Sequence, residues 1–98
     1  MNFEWDNAKQ QSNLEKHGVD FLDAVRIYSN PVLEWIDTRK EYGEERIMTI
    51  GFDEEDYFVV VSRWRGESRR IISAWKAGRD EEEKYHQNNP WRGDKEGG

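Results

Sequence analysis

The sequence of 98 residues has no cysteine, two prolines, two histidines and no long apolar run. Without cysteine there are no disulfides and no thiolate zinc sites. His17 and His86 are too far apart along the chain to indicate a zinc site, and no phosphate-binding or dinucleotide motif is present, so we expect no metal and no cofactor. No segment approaches the roughly 18 apolar residues of a membrane span, and no secretory signal is evident. The absence of cysteine does not identify a compartment, and a cytoplasmic location is the default expectation.

The net charge of −6 argues against a general nucleic-acid binder, which is usually basic overall. The charges are unevenly distributed, however. Acids concentrate in two short runs at 53–56 and 80–83, whereas the stretch "RWRGESRR" at 63–70 is net basic. A local cationic surface can therefore exist on this acidic chain.

Length and aromatic content indicate one domain. Five Trp, four Tyr and four Phe supply the bulky apolar area that a chain of this size needs to form a core. We predict a single domain over residues 1–87 and a disordered tail over 88–98, which ends in "WRGDKEGG".

Two helices are predicted near the N-terminus. The stretch "WDNAKQQSNLEKHG" has Asp6 as an N-cap and Gly18 as a C-terminal stop after two cationic residues. The stretch "VDFLDAVRIYSNP" predicts an amphipathic helix capped by Asp20 and ended by Asn30-Pro31. Its apolar face has helical spacing: Phe21, Ala24, Val25 and Tyr28.

Four strands are predicted next, at 32–37, 45–52, 56–64 and 69–76, because these stretches are rich in β-branched and aromatic residues and turn residues separate them. Short connections favour an antiparallel meander. Apolar residues on both faces of the last two strands predict a sheet covered on both sides. A short helix is expected to begin near Arg79. The predicted class is α+β, with two N-terminal helices packed on a four-stranded antiparallel sheet.

The chemistry-bearing residues are mainly arginines in or beside the predicted sheet. Any single one is most simply an exposed strand residue paired with a nearby glutamate such as Glu44, Glu45 or Glu67. Alternatively, several together form a phosphate-contacting face, with aromatic side chains that stack on unpaired bases. The arginines concerned are Arg39, Arg46, Arg63, Arg65, Arg69 and Arg70.

His17 also has two interpretations. At a helix C-terminus a histidine usually serves as a cation near the last carbonyls. It could instead act as a general acid or base, because its ordinary pKa lies near neutrality.

Three linked segments resemble the BrnT toxins, the ribonuclease half of BrnT–BrnA toxin–antitoxin pairs. "FEWDNAKQQSNLEKHGVDFLDAV" at 3–25 resembles the family's W-D-x-x-K, N-L-x-K-H-G-V and F-x-x-A segments. "RIISAWKA" resembles its R-I-I-S-A-R-K-A segment. The central "DTRKEYGEERIMTIG" resembles its D-x-R…G-E-x-R…G segment through Asp37, Arg39, Gly43, Glu44, Arg46 and Gly51. The similarity covers residues 3 to about 85.

The resemblance implies a RelE-like fold and a metal-independent endoribonuclease that a BrnA-like antitoxin neutralises. It also implies that operator DNA is bound only through the antitoxin. Exposed apolar area on the sheet is expected to be covered by that antitoxin, and the acids at 80–83 are expected to contact a basic segment of it.

Site residues follow from the motif match and from the needs of RNA cleavage by the 2′-hydroxyl. Arg46 and Arg70 are predicted to stabilise the phosphate, and either Glu44 or His17 to transfer protons. Further substrate contacts are predicted from Arg39, Lys76, Trp75 and Arg69.

Trp75 is a departure, since the family usually has arginine there. It removes one cation, so that either activity is weak or another arginine substitutes for it. The substitution also favours a second hypothesis, a non-catalytic protein-binding module that keeps the toxin fold. Strand alternation predicts Arg69 and Trp75 on one face and Arg70 and Lys76 on the other. Trp75 is then either a stacking platform for a base or a residue packed under the last helix near Tyr85.

Overall fold

A computed structural model describes residues 1–39 and 43–88 of the chain. From residue 89 onward, the tail predicted at 88–98 lies outside the described residues. The elements, in chain order, are β1 (Asn2–Glu4), α1 (Asn7–His17), α2 (Phe21–Ala24), a 3-10 helix (Val25–Ser29), β2 (Leu33–Ile36), β3 (Ile47–Asp53), β4 (Asp56–Arg65), β5 (Ser68–Lys76) and α3 (Arg79–Asn88).

The sheet has five strands in the order β1-β5-β4-β3-β2. Strands β2 to β5 form the expected antiparallel meander, but β1 pairs with β5 in parallel. The prediction of a four-stranded antiparallel sheet with two N-terminal helices is therefore wrong; over the described residues the fold is α+β, with a five-stranded mixed sheet, three α-helices and one 3-10 helix. Strand β1 has only three residues, and its partner β5 is near the other end of the domain. No local turn pattern therefore predicts this strand.

The caps of α1 are as the sequence predicts. The Asp6 carboxylate accepts a hydrogen bond of 2.7 Å from the Ala8 N–H. At the other end Gly18 has φ 71°, and its N–H donates to the Leu14 carbonyl at 2.8 Å. This left-handed conformation is one that glycine adopts without a steric penalty.

The second predicted helix changes type midway. Asp20 caps it as expected, accepting from the Leu22 N–H at 2.9 Å. The α-helix then ends at Ala24 and continues as a 3-10 helix. Val25 and Ile27 are β-branched, which lowers the preference for a continued α-helix. The expectation of one continuous amphipathic α-helix was wrong beyond Ala24.

Apolar residues pack on both faces of the sheet. On one face, Phe58 and Val60 pack against α2 and the 3-10 helix, and α1 contacts the neighbouring strand β5. On the opposite face, Val59 and Val61 pack with Tyr85 of α3. Tyr85 is 1% exposed, and its hydroxyl donates to the Pro31 carbonyl at 2.8 Å, so it anchors α3 to the sheet. We call these the α1 face and the α3 face.

A β-bulge in the β4–β5 pairing reverses the expected alternation along β5. Val61 opposes Ser73 and Ser62 opposes Ile71, so Ile72 is the extra residue. Ile71 packs on the α1 face, whereas Ile72 and Trp75 pack on the α3 face. The prediction that Trp75 shares a face with Arg69 was wrong, because simple alternation assumes an uninterrupted ladder.

Among the described residues no helix has the length and apolar content needed to cross a membrane.

Candidate functional site: an arginine row on the α3 face

Three arginines lie side by side on adjacent strands at one end of the sheet. Arg63 of β4 directly opposes Arg70 of β5. Arg46 immediately precedes Ile47, which opposes Ser62, so Arg46 lies beside Arg63 on the other side. Arg46, Arg63 and Arg70 are called the arginine row below.

All three side chains belong to the α3 face. Each arginine is two residues from an apolar side chain that packs on that face, and residues two apart on a strand share a face. The three apolar neighbours are Met48, Val61 and Ile72. The arginine row therefore continues the apolar surface of the α3 face toward the end of the sheet.

Carboxylates flank the row on two sides. A Glu44 oxygen lies 3.4 Å from Arg46 Nε. A Glu4 oxygen accepts from Arg70 Nη1 at 2.9 Å and from Arg65 Nη1 at 3.2 Å. The hydrogen bond from Arg70 is the main reason why the pKa of the Glu4 carboxyl lies below its ordinary value, and the charge of Arg65 lowers it further. Both flanking carboxylates are partly exposed, so solvent screens these pairs.

Next to the row, the end of β2 holds Arg39 in place. The Asp37 side chain is only 2% exposed, and the Asp37 N–H donates to the Arg46 carbonyl at 2.8 Å. Arg39 Nε and Nη2 donate to the two Asp37 oxygens at 2.8 and 3.0 Å. This bidentate pair fixes a further guanidinium, which is itself mostly exposed, at the margin of the arginine row.

A cleft of about 260 Å³ lies beside Arg39, between α3 and the strands β2 to β4. Trp35 lines it, and Lys84 Nζ lies 3.8 Å from the centre of the Trp35 ring. This cation–π contact joins α3 to the edge strand. Asp80 and Glu81 line the same cleft from the start of α3.

The structure places three predicted site residues elsewhere. Trp75 is five residues from Arg70 along β5, which corresponds to roughly 17 Å. Its indole N–H donates to Glu81 at 3.3 Å, and the ring of His17 lies 5.9 Å from it. Lys76 Nζ lies 3.4 Å from an Asp56 oxygen. His17, Trp75 and Lys76 thus lie at the opposite end of β5 from the arginine row.

Arg69 is on the α1 face and is 3% exposed. Its Nη1 donates to Glu34 at 2.8 Å and to the Ser62 hydroxyl at 3.2 Å, and its guanidinium carbon lies 4.4 Å from the centre of the Trp64 ring. Nε of Arg69 is buried without a partner. These contacts belong to an ion pair in which only the arginine is buried, and the structure does not bring Arg69 together with Arg46 or Arg70.

Of the eight predicted site residues, the structure thus gathers Arg46, Arg70, Glu44 and Arg39 at one end of the sheet. Sequence reasoning missed Glu4 and passed over Arg63. Arg63 belonged to the pool of candidate arginines, but only the strand register shows that it lies between the other two. Glu4 reaches the site through β1, a strand that no local sequence pattern predicts. Within residues 1–39 and 43–88 no group of three or more His, Cys, Asp or Glu side chains is arranged to hold a metal ion.

Fold and site together define a small α+β protein with a cationic end on an otherwise acidic chain. Residues 5–81 match the family described as the ribonuclease toxin, BrnT, of type II toxin–antitoxin systems. The chain belongs to this family, which confirms the resemblance and implies an antitoxin protein as partner. No curated protein matches the sequence.

Proposed function

We propose that the protein is a metal-independent endoribonuclease that cleaves RNA at the arginine row. The main support for this proposal is that Arg46 and Arg70 come from distant parts of the chain yet lie on one face at one end of the sheet. Attack of a ribose 2′-hydroxyl on the adjacent phosphate builds negative charge on the phosphorus oxygens. Guanidinium groups fixed at that place stabilise this charge, because they donate paired, charge-assisted hydrogen bonds.

Glu44 is the proposed general base, since it lies beside Arg46 at the row. Its carboxylate accepts the proton of the 2′-hydroxyl, the 2′-oxygen bonds to phosphorus, and the bond from phosphorus to the 5′-oxygen breaks. The products are a 2′,3′-cyclic phosphate and a 5′-hydroxyl that takes its proton from water. The other predicted candidate, His17, lies beside Trp75 at the far end of β5 and is not placed for this step.

The variant Arg46→Ala tests this proposal. Removal of one electrostatic contact to the transition state is expected to lower cleavage by about 100-fold or more. The side chain of Arg46 is only 27% exposed, so the melting temperature is measured as well, and cleavage is compared where both proteins are folded. The matched control is Arg26→Ala, which removes an exposed arginine of the 3-10 helix at the other end of the sheet.

Purified, antitoxin-free protein should cleave RNA equally well with and without a chelator. Expression of the wild type alone should arrest growth, and Arg46→Ala should relieve the arrest. RNA that stays intact with the wild type would contradict the enzyme proposal.

A second candidate function is a non-catalytic binding module. One observation favours it: Trp75 occupies the place of the family's arginine, and Glu81 and the other residues of the α3 face hold its indole in the fold. A wild type that is harmless in the growth assay, yet still forms a complex with an antitoxin, would favour this candidate.

We further propose that a BrnA-like antitoxin is the partner and that a basic segment of it binds at the cleft beside α3. Asp80 and Glu81 supply negative charge there, and Trp35 and Met48 supply apolar surface. In this proposal any operator DNA is bound through the antitoxin. Asp80→Lys should weaken a complex with the neighbouring gene's product about 10-fold or more in titration calorimetry. Glu15→Lys, a charge reversal on exposed α1, is the control; equal affinity of both variants would contradict the proposed location.

A further inference from the structure

We infer that Arg63 is a third phosphate ligand of this site. Of the three arginines, it is the one whose guanidinium is available to bind a phosphate of the RNA backbone. The inference rests on the proposed function and deepens it, because it assigns substrate contact to a residue that lies outside the three segments on which the resemblance to the BrnT family was based. Three observations support it: the position of Arg63, the absence of a counter-ion among the described residues, and the repulsion between Arg63 and Arg70.

The position of Arg63 is central. It lies between Arg46 on β3 and Arg70 on β5, on the same face as both. Neighbouring strands are about 4.8 Å apart, so the row extends about 10 Å across the sheet. An anion held by both outer arginines must therefore pass over the side chain of Arg63.

Arg63 also lacks a counter-ion. Glu44 lies beside Arg46, and Glu4 pairs with Arg70. Among the described residues the side chain of Arg63 has no hydrogen-bond or ion-pair partner, although it is partly buried. Carboxylate and phosphate oxygens offer arginine the same acceptor geometry. The two glutamates thus occupy outer positions that phosphates take, whereas the central position is open.

The placement of Arg63 is unfavourable for the isolated fold. Like charges directly opposite each other on neighbouring strands destabilise a sheet, and Arg63 opposes Arg70 directly. A residue whose position destabilises the fold indicates a functional role. An anion bound between the two guanidinium groups would offset their repulsion. A purely structural role for Arg63 predicts the opposite: its removal would then lower stability.

The test uses Arg63→Gln in the full chain, with Arg26→Gln as the matched control. Binding is measured by fluorescence anisotropy on a short single-stranded 2′-O-methyl RNA, which binds but cannot react, over a range of salt concentrations. Loss of one charge-assisted contact should weaken binding about 10-fold. The slope of log K against log salt should become shallower by about 0.7, the value for one phosphate contact to a single strand.

Two further readouts separate contact from structure. The melting temperature of Arg63→Gln should stay the same or rise, because a like-charge pair is removed. Arg63→Lys keeps a point charge but loses the bidentate geometry, so it should restore the salt slope while leaving cleavage of unmodified RNA below that of the wild type.

The outcomes distinguish the two proposals. An Arg63→Gln variant that binds and cleaves as the wild type does, with an unchanged salt slope, overturns the role of Arg63 and leaves the ribonuclease proposal intact. A variant that loses binding together with a lower melting temperature, and that Arg63→Lys does not rescue, also overturns it. A wild type that binds RNA without cleaving it refutes the ribonuclease proposal but preserves Arg63 as a ligand. A wild type that does not bind RNA refutes both.

Discussion

The side-chain amide of Asn13 hydrogen-bonds to the open backbone edge of β5. Its removal tests how much this contact contributes to the free energy of unfolding. β1 covers only the first residues of β5. Farther along, Asn13 Nδ2 donates to the Ala74 carbonyl at 2.8 Å and to the Val19 carbonyl at 3.0 Å. Its Oδ1 accepts from the Ala74 N–H and the Ser73 hydroxyl, each at 3.1 Å. One buried residue of α1 thus imitates a neighbouring strand.

The variant Asn13→Ala removes all four hydrogen bonds at once. The Ala74 N–H, the Ala74 carbonyl and the Val19 carbonyl then lose their side-chain partner at a site where Asn13 is only 6% exposed. A buried polar group without a partner costs about 1–3 kcal/mol, so even the lower value gives a loss of about 3 kcal/mol. For a domain of this length that corresponds to a fall in melting temperature of roughly 12–24 °C.

Urea unfolding followed by tryptophan fluorescence measures this loss. Gln11→Ala is the control, because Gln11 is exposed on the same helix and its amide donates only to Glu15 at 3.2 Å; its effect should be below about 0.5 kcal/mol. Asn13→Asp keeps an acceptor for the Ala74 N–H but turns an oxygen toward two carbonyls, so it should also destabilise. A loss below about 1 kcal/mol for Asn13→Ala would refute the reasoning.

Three further changes have definite expected outcomes. Trp75→Arg should lower the melting temperature by roughly 4–8 °C, the equivalent of about 1 kcal/mol, and leave RNA cleavage unchanged; an unchanged melting temperature with faster cleavage would contradict the packing role. Gly51→Ala should cost about 1–3 kcal/mol in urea unfolding, because its Cβ would lie 2.9 Å from a Val32 methyl, whereas Gly78→Ala meets nothing closer than 3.8 Å and serves as control. The pKa of Glu4 is lowered in the folded state, so its contribution is present above the ordinary value of 4.5 and is lost as the pH falls through the folded value. The wild type should therefore lose more stability on acidification through this range than Glu4→Gln, and equal losses would contradict the ion pair.

The elements that the sequence predicts well are those with local causes. The caps at Asp6 and Asp20 and the glycine stop at Gly18 follow from hydrogen bonding and backbone sterics within a few residues. The four meander strands follow from composition and from the turn residues between them. The resemblance to the BrnT family, which the family match confirms, depends on whole segments and not on geometry.

What the sequence could not provide is register. The bulge at Ile72 exchanges the two faces of β5, so the prediction that paired Arg69 with Trp75 was wrong although the strand itself was right. Only the strand register shows that Arg63 lies between Arg46 and Arg70. Register depends on pairing between residues distant in the chain, and local composition does not determine it when both faces are apolar.

The pairing of β1 with β5 has a consequence for the order in which the candidate site assembles. Glu4 and Arg70 are 66 positions apart, so their contact requires closure of nearly the whole domain. Such long-range pairing carries a large loop-closure entropy and forms slowly compared with the hairpins of the meander. During synthesis on a ribosome, the arginine row cannot assemble until β5 has emerged, long after both N-terminal helices are available. We expect the amides of β1 to be among the last to gain protection in hydrogen exchange during refolding, because β1 can pair only after β5 has formed. Glu4 then reaches Arg70 after the three arginines have already come together.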